Sequence, residues 1–367
     1  MYIFTLLLLA TFALLEAFNS DFVRKNQQVL VFIAFSMLVF HDGFRWETGS
    51  DWYAYYDFFD NFFLFDDYSL DAGYVLLVFL IRSITADYTV FLVVYALIFY
   101  GLFFHAIFKI SAYPFMALLL FYAATVPYLG MNRQFIAVAL CFVGLAYYLN
   151  GRKALFYLLL LVAFFFHKTC LMFLLIPFLG KRFPWYIYAS SFSVVLIIAL
   201  SGIINRIPPA IFYVLGDDMR EKIDFYVATA EDVSLVTAAI SLARKLIWIA
   251  VLWFYDSKIK NKGNSFHTLF NMYFIGCLFY VLFSNTIFQV FVARALMYYD
   301  LASIFLIPFA VSILRANYGK LFIILLVVFY SFVSMKKGFS NYGPDNDYFE
   351  PYKGVFINTD YERQSVK

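Results

Sequence analysis

The stretch YTVFLVVYALIFYGLFFHAIF, residues 88–108, contains no Asp, Glu, Lys or Arg. A helix crosses the hydrocarbon core of a bilayer with about 20 predominantly apolar residues, so this stretch predicts a transmembrane helix. Across all 367 residues, 64% are hydrophobic and only 14% are charged. Soluble domains carry about 25% charged residues. The sequence therefore predicts an all-α polytopic membrane protein.

Similar apolar runs predict about 12 transmembrane helices in total. They lie at 2–18, 29–41, 88–108, 113–129, 132–149, 154–167, 169–179, 185–204, 233–255, 265–284, 295–314 and 319–335. The shorter, amphipathic segment 72–85 is predicted to lie in the interface or to re-enter the membrane. The first run lacks a preceding basic segment, which favours a retained helix over a signal peptide.

The predicted domain organisation is one transmembrane domain, 1–335, followed by an extracytoplasmic C-terminal tail, 336–367. Loops of one set carry 12 basic and two acidic residues, whereas the loop at 41–87 carries nine acidic and two basic residues. Because Lys and Arg concentrate in cytoplasmic loops, the acidic loops at 41–87 and 205–232 are predicted to face outward.

No motif points to a nucleotide or a metal. The sequence contains no Walker A loop, Gly-rich dinucleotide turn or zinc signature. Cys141, Cys170 and Cys277 lie in apolar runs without metal-type spacing, which is typical of packing residues. We therefore expect no cofactor and no nucleic-acid partner, and chemistry that takes place in the membrane or just outside it.

Ionisable residues at membrane depth are functional candidates, because burying a charge is costly unless it is paired or hydrated. The predicted topology brings several of them to the outer face: Arg45, Arg133, His167, Lys168 and Arg294. Arg244 lies about half a helix below them, and Glu16 lies near the inner end of the first helix. Single cations often extend to the headgroups, and a lone His is often a hydrogen-bonded turn residue. Several cations at one outer cavity instead favour a phosphate or pyrophosphate site, since guanidinium groups match phosphate oxygens.

The stretch FRWETGSDWYAYY, 44–56, supplies candidates for sugar contacts and for a base. Asp51, His167 or Asp300 could act as the base. Residues four apart share a helix face, so Tyr55, Trp52 and Tyr56 are predicted to line the acceptor side, with Gln134 and Tyr298 as further contacts. Gly49 permits a tight turn that would direct Asp51 toward the cavity.

Six segments, in order, resemble proteins of the EpsG type, which are polytopic relatives of Wzy O-antigen and capsule polymerases. Arg45, Gly49, Asp51 and Tyr55 match the pattern R-x-x-x-G-x-D-x-x-x-Y. The other five are DAGYVLL (71–77), NRQFIAVAL (132–140), FFHKT (165–169), RALMYY (294–299) and PYKGVF (351–356). Asp71 replaces the family's Glu, and the Asn-Arg-Gln spacing is tighter than the family pattern.

The resemblance implies a metal-independent glycosyltransferase with a fold like the C-type membrane glycosyltransferases (GT-C). Its expected substrates are undecaprenyl-diphosphate-linked oligosaccharide donor and acceptor, joined into O-antigen, capsule or exopolysaccharide at the outer face of a bacterial inner membrane. Membrane lipids and a chain-length regulator are expected partners. Arg133, Arg294 and Arg244 would hold pyrophosphate, with Arg45 and Lys168 as lesser candidates.

Three alternatives remain open on the sequence. A ligase would transfer the glycan to lipid A-core, and an acyltransferase would also use an outer or buried His. A flippase or secondary transporter would fit the charged midplane residues and a helix broken near His167. The sequence shows no convincing internal repeat, which disfavours transport.

Overall fold

The computed structural model describes residues 1–64, 70–208, 235–254, 256, 263–284, 286, 288–314, 317–340 and 348–358. Over these ranges the chain is helical, and its only β-type pairs are two isolated bridges, which both involve Gly354. The all-α prediction is therefore confirmed. The chain divides into two compact units, Met1–Leu171 with Leu314–Lys367, and Met172–Ile313.

Fifteen α-helices lie in the described ranges. They are α1 (Tyr2–Phe18), α2 (Ser20–Lys25), α3 (Gln27–Gly43), α4 (Trp52–Asp60), α5 (Ala72–Arg82), α6 (Tyr88–Ile110), α7 (Pro114–Thr125), α8 (Asn132–Leu149), α9 (Lys153–Phe164), α10 (Trp185–Leu200), α11 (Leu235–Phe254), α12 (Gly263–Phe283), α13 (Gln289–Asp300), α14 (Ser303–Ile313) and α15 (Asn317–Ser340). Short 3₁₀ segments lie at Phe62–Leu64, Val126–Tyr128, Lys168–Phe178 and Ile203–Arg206.

Within the described residues, five helical stretches are long and apolar enough to cross a membrane: Tyr88–Ile110, Asn132–Leu149, Ser265–Phe283, Arg294–Val311 and Asn317–Ser340. Seven other apolar helices have 10–17 residues. The apolar helices support a multi-pass membrane protein. Twelve crossings and the GT-C-like architecture stay predictions.

The core of the first unit forms around α6, α7 and α8, because these helices carry apolar residues on all sides. A helix that is hydrophobic all round is buried. The ring of Phe99 on α6 stacks on Phe135 of α8 at 5.2 Å between centroids. Phe103 meets Phe121 of α7 at 4.3 Å. This aromatic packing fixes the start of α8, where Asn132 and Arg133 lie.

Glu16 has a structural role that the sequence did not predict. Its carboxylate accepts hydrogen bonds from the backbone N–H groups of Phe115 and Met116, at 3.1–3.2 Å. The first N–H groups of a helix have no partner within the helix, and a negative charge there is favourable. Glu16 therefore satisfies the N-terminus of α7, which begins at Pro114.

The structure corrects several predicted boundaries. The predicted span 295–314 corresponds to the stretch Arg294–Val311, with a two-residue turn between the end of α13 at Asp300 and the start of α14 at Ser303. The run 154–179 is broken as expected near His167: α9 ends at Phe164 and the following segment, Lys168–Phe178, is 3₁₀. The acidic loop 41–87 contains two helices, α4 and α5. Most of the predicted loop 205–232 lies outside the described residues.

The short helix α5 contacts α8 at its start and α4 at its end. Asp71, just before it, contacts the start of α8. Arg82, at its end, donates a hydrogen bond from Nε to the Phe59 carbonyl at the end of α4. Eleven residues of helix span only about 16 Å, half of a hydrocarbon core. The interfacial or re-entrant placement of this helix stays a prediction.

Candidate functional site

Five segments of the first unit meet at one end of its helices: 44–51, 71–73, 129–133, 165–169 and 348–355. We call them the polar loop cluster. Backbone hydrogen bonds join them, from Gly49 N–H to the Tyr348 carbonyl at 2.8 Å and from Gly73 N–H to the Phe165 carbonyl at 2.7 Å. Segments that are far apart in the sequence therefore form one surface.

Arg133, in the first turn of α8, lies at the centre of this cluster. Its Nη1 forms a 2.7 Å ion pair with Asp71 Oδ2, and its Nε donates to the Tyr55 hydroxyl at 3.0 Å. The Arg133 side chain is 23% exposed, so the guanidinium is held rigidly but is accessible. Burial raises the pKa of the Tyr55 hydroxyl, which keeps its proton available for donation.

Arg45 is buried and contacts Asn132, the residue before Arg133. Its guanidinium forms an ion pair with Asp42, and both side chains are 1% exposed. A second nitrogen, Nη2, donates to Asn132 Oδ1 at 3.1 Å. Arg45 thus ties the end of α3 to the residue directly before Arg133. This burial favours a positioning role over direct contact with substrate.

Asp51 is placed by two glycines with left-handed backbone conformations. Gly49 has a φ of +110° and Gly130 has a φ of +106°. A Cβ on Gly49 would lie 2.3 Å from the Leu129 carbonyl oxygen, and a Cβ on Gly130 would lie 2.9 Å from the Asp51 nitrogen. Only glycine permits this approach. The Asp51 carboxylate makes no capping hydrogen bond to α4.

His167 lies in the break between α9 and the 3₁₀ segment, and Thr169 orients its ring. Nδ1 is 2.6 Å from Thr169 Oγ1 and accepts a 3.4 Å hydrogen bond from the Thr169 backbone N–H. Since a backbone N–H can only donate, Nδ1 is the acceptor. The proton of the neutral ring is then on Nε2.

Aromatic side chains of the 44–56 stretch pack on one another. Trp52 stacks on Tyr56 at 5.0 Å with an interplanar angle of 8°, and Trp46 meets the same ring of Trp52 edge-on at 4.9 Å. Trp52 is 2% exposed, whereas Tyr53 is 40% exposed. Trp52 therefore supports the aromatic surface from beneath.

Gln134 and Lys168, also predicted as site residues, differ in exposure to solvent. Gln134 is 3% exposed and packs directly after Arg133. Lys168 is exposed beside His167. Of the predicted residues, Arg45, Asp51, Arg133, His167 and Lys168 lie in the segments of the polar loop cluster, and Tyr55 contacts Arg133 from α4.

The remaining predicted residues belong to the second unit. Arg294 and Tyr298 lie on α13, and Arg244 lies on α11. The Tyr298 ring is 0% exposed and packs edge-on against Phe173 at 5.6 Å. Their participation in a pyrophosphate site stays a prediction.

The second unit also holds an ion pair between Lys245 of α11 and Asp300 of α13. The Lys245 Nζ lies 2.5 Å from Asp300 Oδ1 and 5.6 Å from the ring centroids of Tyr273 and Tyr280. Gly276 makes room for the carboxylate, since a Cβ there would lie 2.8 Å from Asp300 Oδ1.

Sequence reasoning missed Asp42, Asn132 and Asp71 as site residues. Asp42 and Arg45 are three apart, the spacing of a helical ion pair, which is a signal that could have identified this pair. Asp71 and Asn132 stand in the motif segments DAGYVLL and NRQFIAVAL. Among the described residues, no three His, Cys, Asp or Glu side chains lie close enough to hold a metal ion. The expectation of a metal-independent reaction is untested.

Apolar helices that bury a cation, carboxylates and tyrosines at one end define a helical, multi-pass membrane protein with a candidate site for a polar ligand. The sequence profile of the EpsG family matches residues 28–354, and the chain belongs to this family. The membership suggests a role in polysaccharide polymerisation. No curated protein and no solved structure matches the chain.

Proposed function

We propose that this protein is a glycosyltransferase that joins lipid-diphosphate-linked oligosaccharide repeat units into a polysaccharide, with undecaprenyl diphosphate as the expected carrier. The observation that carries the proposal is the arrangement of Arg133, Tyr55 and Asp71 in the polar loop cluster. A guanidinium that is fixed by two partners and 23% exposed is prepared for an anionic ligand. Phosphate oxygens are the ligands that Arg binds best.

In the proposed reaction, an acceptor hydroxyl oxygen forms a bond to the anomeric carbon of the donor glycan. The bond between that carbon and the diphosphate oxygen breaks, and the lipid diphosphate leaves with the electron pair. Arg133 stabilises the charge that grows on the leaving group. Lys168, in the same cluster, is a further candidate for this contact, and the role of Arg294 and Arg244 stays a prediction from the sequence.

The structure favours Asp51 over His167 as the base. Nδ1 of His167 accepts hydrogen bonds from Thr169, so the neutral ring presents an N–H at Nε2. Such a ring donates to a phosphate or sugar oxygen and does not accept a proton through that nitrogen. The Asp51 carboxylate is not used to cap α4. It would take the proton of the acceptor hydroxyl.

The aromatic group on the 44–56 stretch is the proposed acceptor surface. Tyr53, which is exposed, joins Tyr56 and Tyr55 as a candidate for sugar contacts, and the buried Trp52 holds Tyr53 and Tyr56 in place. Amphipathic rings can pack on the apolar face of a sugar while the hydroxyl forms a hydrogen bond. Gln134 and Tyr298 are the remaining candidates.

The positive-inside rule supports an outward orientation for this site. All five segments of the polar loop cluster come from loops that the charge distribution assigns to the outer face. Their mutual contacts require them to share one side of the membrane. We propose that this side is the outside of the bacterial cytoplasmic membrane, where a chain-length regulator could also act.

Purified protein in detergent, supplied with lipid-linked repeat units, tests the function directly. Elongation products with two or more units support the polymerase. Transfer of a chain to a different lipid acceptor without a change in unit number would show a ligase. A protein that moves lipid-linked units across liposome membranes but forms no glycosidic bond would be a transporter and would contradict the proposal.

A further inference from the structure

We infer that the segment 348–358 positions the loop that carries Asp51. We call this segment the C-terminal clasp. The inference rests on the proposed function, because it concerns the site of that reaction. The clasp touches residues 41–49, about 300 residues earlier in the chain, and no part of it is proposed to touch substrate.

Main-chain hydrogen bonds carry the first part of the argument. The Trp46 N–H donates to the Lys353 carbonyl at 3.1 Å, the Gly49 N–H donates to the Tyr348 carbonyl at 2.8 Å, and the Val355 N–H donates to the Phe44 carbonyl at 2.9 Å. These bonds are spread along the whole loop from 44 to 49. The loop therefore obtains from the clasp the partners that buried backbone groups require.

The Thr48 hydroxyl forms two hydrogen bonds with the backbone of the clasp. Its Oγ1 donates to the Lys353 carbonyl at 3.0 Å and accepts from the Lys353 N–H at 3.3 Å. Thr48 is 1% exposed and Lys353 is 2% exposed, so both groups are removed from water. The hydroxyl also lies 3.0 Å from the Trp46 carbonyl, so it joins both segments of the contact. Removing it would take away one of the two donors to the Lys353 carbonyl and the hydroxyl acceptor of the Lys353 N–H.

The clasp is itself anchored to the helices of the first unit. The Tyr352 hydroxyl donates to the His41 carbonyl near the end of α3 at 2.7 Å. Lys336 of α15 pairs with Glu350 at 2.5 Å, and Phe349 stacks on Phe339 at 5.0 Å. The clasp is therefore anchored both to α3 and to α15.

The opposite side of the loop is closed by the turn before α8. Gly49 packs so closely on Leu129 that a Cβ would lie 2.3 Å from its carbonyl oxygen. The 44–49 loop is thus enclosed between the clasp and the 129–131 turn. Asp51 follows two residues after Gly49, so the clasp determines where the proposed base lies.

The test compares Thr48→Val, which keeps the shape and removes the hydroxyl, with Thr48→Ser, which keeps the hydroxyl. Misplacing a catalytic group by 1 Å can lower the rate by about 10²-fold. We expect Thr48→Val to lower kcat for elongation by up to that factor with KM within about twofold, and Thr48→Ser to restore most of kcat. Tyr352→Phe should lower kcat in the same way. Tyr318→Phe, at a residue 82% exposed on α15, is the control.

Hydrogen exchange measured on the same variants gives a readout that is independent of activity. Loss of the hydrogen bonds of the Thr48 hydroxyl should speed amide exchange at Trp46 and Gly49 by about tenfold or more in Thr48→Val, with exchange in α6 unchanged. Wild-type exchange and wild-type kcat in Thr48→Val would overturn the clasp. So would a Thr48→Ser variant as impaired as Thr48→Val, because the role would then be general packing. If the wild-type protein elongates nothing, the proposed function fails, while faster exchange in Thr48→Val would still show the clasp contact.

Discussion

Arg133 and Asp71 form a 2.7 Å ion pair that joins the first turn of α8 to the residue before α5. The two side chains are 23% and 15% exposed, which places the pair between a surface salt bridge and a buried one. The pair ties the residue before α5 to the helical core and fixes the orientation of the guanidinium. Binding of a phosphate by this oriented guanidinium is the proposal that the following variants test.

We predict that Arg133→Ala abolishes elongation without unfolding the protein. Removing one preorganised donor to a developing negative charge lowers kcat by about 10²–10³-fold. Arg133→Lys should restore little, because one ammonium cannot reach both Tyr55 and Asp71 in the geometry of the guanidinium. The measurement is the length distribution of lipid-linked glycans made by purified protein in detergent.

Arg152→Ala is the matched control for Arg133. Arg152 is an exposed cation before α9, over the ring of Tyr147 at 5.9 Å. Its loss should leave the glycan length distribution unchanged. Long chains made at the normal rate by a stable Arg133→Ala protein would refute the phosphate site.

Asp51→Asn and Thr169→Val separate the proposed base from the His167 contact. Asp51→Asn removes the proton acceptor at constant size and should lower kcat by about 10²–10⁴-fold with little change in KM. Thr169→Val releases Nδ1 of His167 from its hydroxyl partner and should change KM more than kcat. Single-turnover rates with one donor and one acceptor measure both. An active Asp51→Asn protein together with an inactive His167→Gln protein would assign the base to His167.

The fold class could be predicted from the sequence because apolar length and charge are local properties. The 23-residue helix α6 follows directly from the run at 88–108. The breaks were harder to place, since the interruption after Asp300 depends on its contacts with Lys245 and Ser303. Local hydropathy does not report such contacts.

The site could be predicted only in part, for a similar reason. Arg133 is a candidate from the sequence because an ionisable residue at membrane depth is costly unless it is paired or hydrated, and Tyr55 is one because it lies four residues after Asp51 and shares its helix face. Their direct hydrogen bond spans 78 positions in the sequence, and the contact of Thr48 with Lys353 spans 305. Periodicity within one helix carries no information about pairs this distant, so the role of Asp71 and of the C-terminal clasp required the structure.

Arg45→Ala is predicted to destabilise the protein strongly. The change leaves the carboxylate of Asp42 buried and unpaired, which costs about 3–5 kcal/mol. Thermal unfolding in detergent, followed by helical circular dichroism, measures the effect. Arg24→Ala is the control, because Arg24 and Asp21 are 76% and 90% exposed, and exposed pairs contribute about 0–1 kcal/mol. Equal melting temperatures for the two variants would show that the Arg45 pair is dispensable.

Gly49→Ala and Gly130→Ala are predicted to impair both folding and elongation. Each residue has a positive φ, which costs a non-glycine residue about 1–3 kcal/mol, and each added Cβ would meet backbone atoms of the opposing segment. Gly101→Ala provides the comparison, since nothing lies within 4 Å of its Cβ position on α6. Of the three variants, only Gly101→Ala should have normal expression, melting temperature and elongation. Normal elongation by Gly49→Ala would mean that the close approach to Leu129 is not required.

The ion pair of the second unit can be tested by a double-mutant cycle. Lys245→Met leaves Asp300 without its cation, and Asp300→Asn leaves the ammonium between the rings of Tyr273 and Tyr280 without its carboxylate. Each single change should lower the thermal stability, whereas the double variant should lose less than the sum, with a coupling of about 0.5–3 kcal/mol. Elongation assays on the double variant then decide whether Asp300 has a role beyond this pair. A double variant that is stable but inactive would assign Asp300 or Lys245 to the reaction, while a stable and active one would restrict the pair to holding α11 against the end of α13.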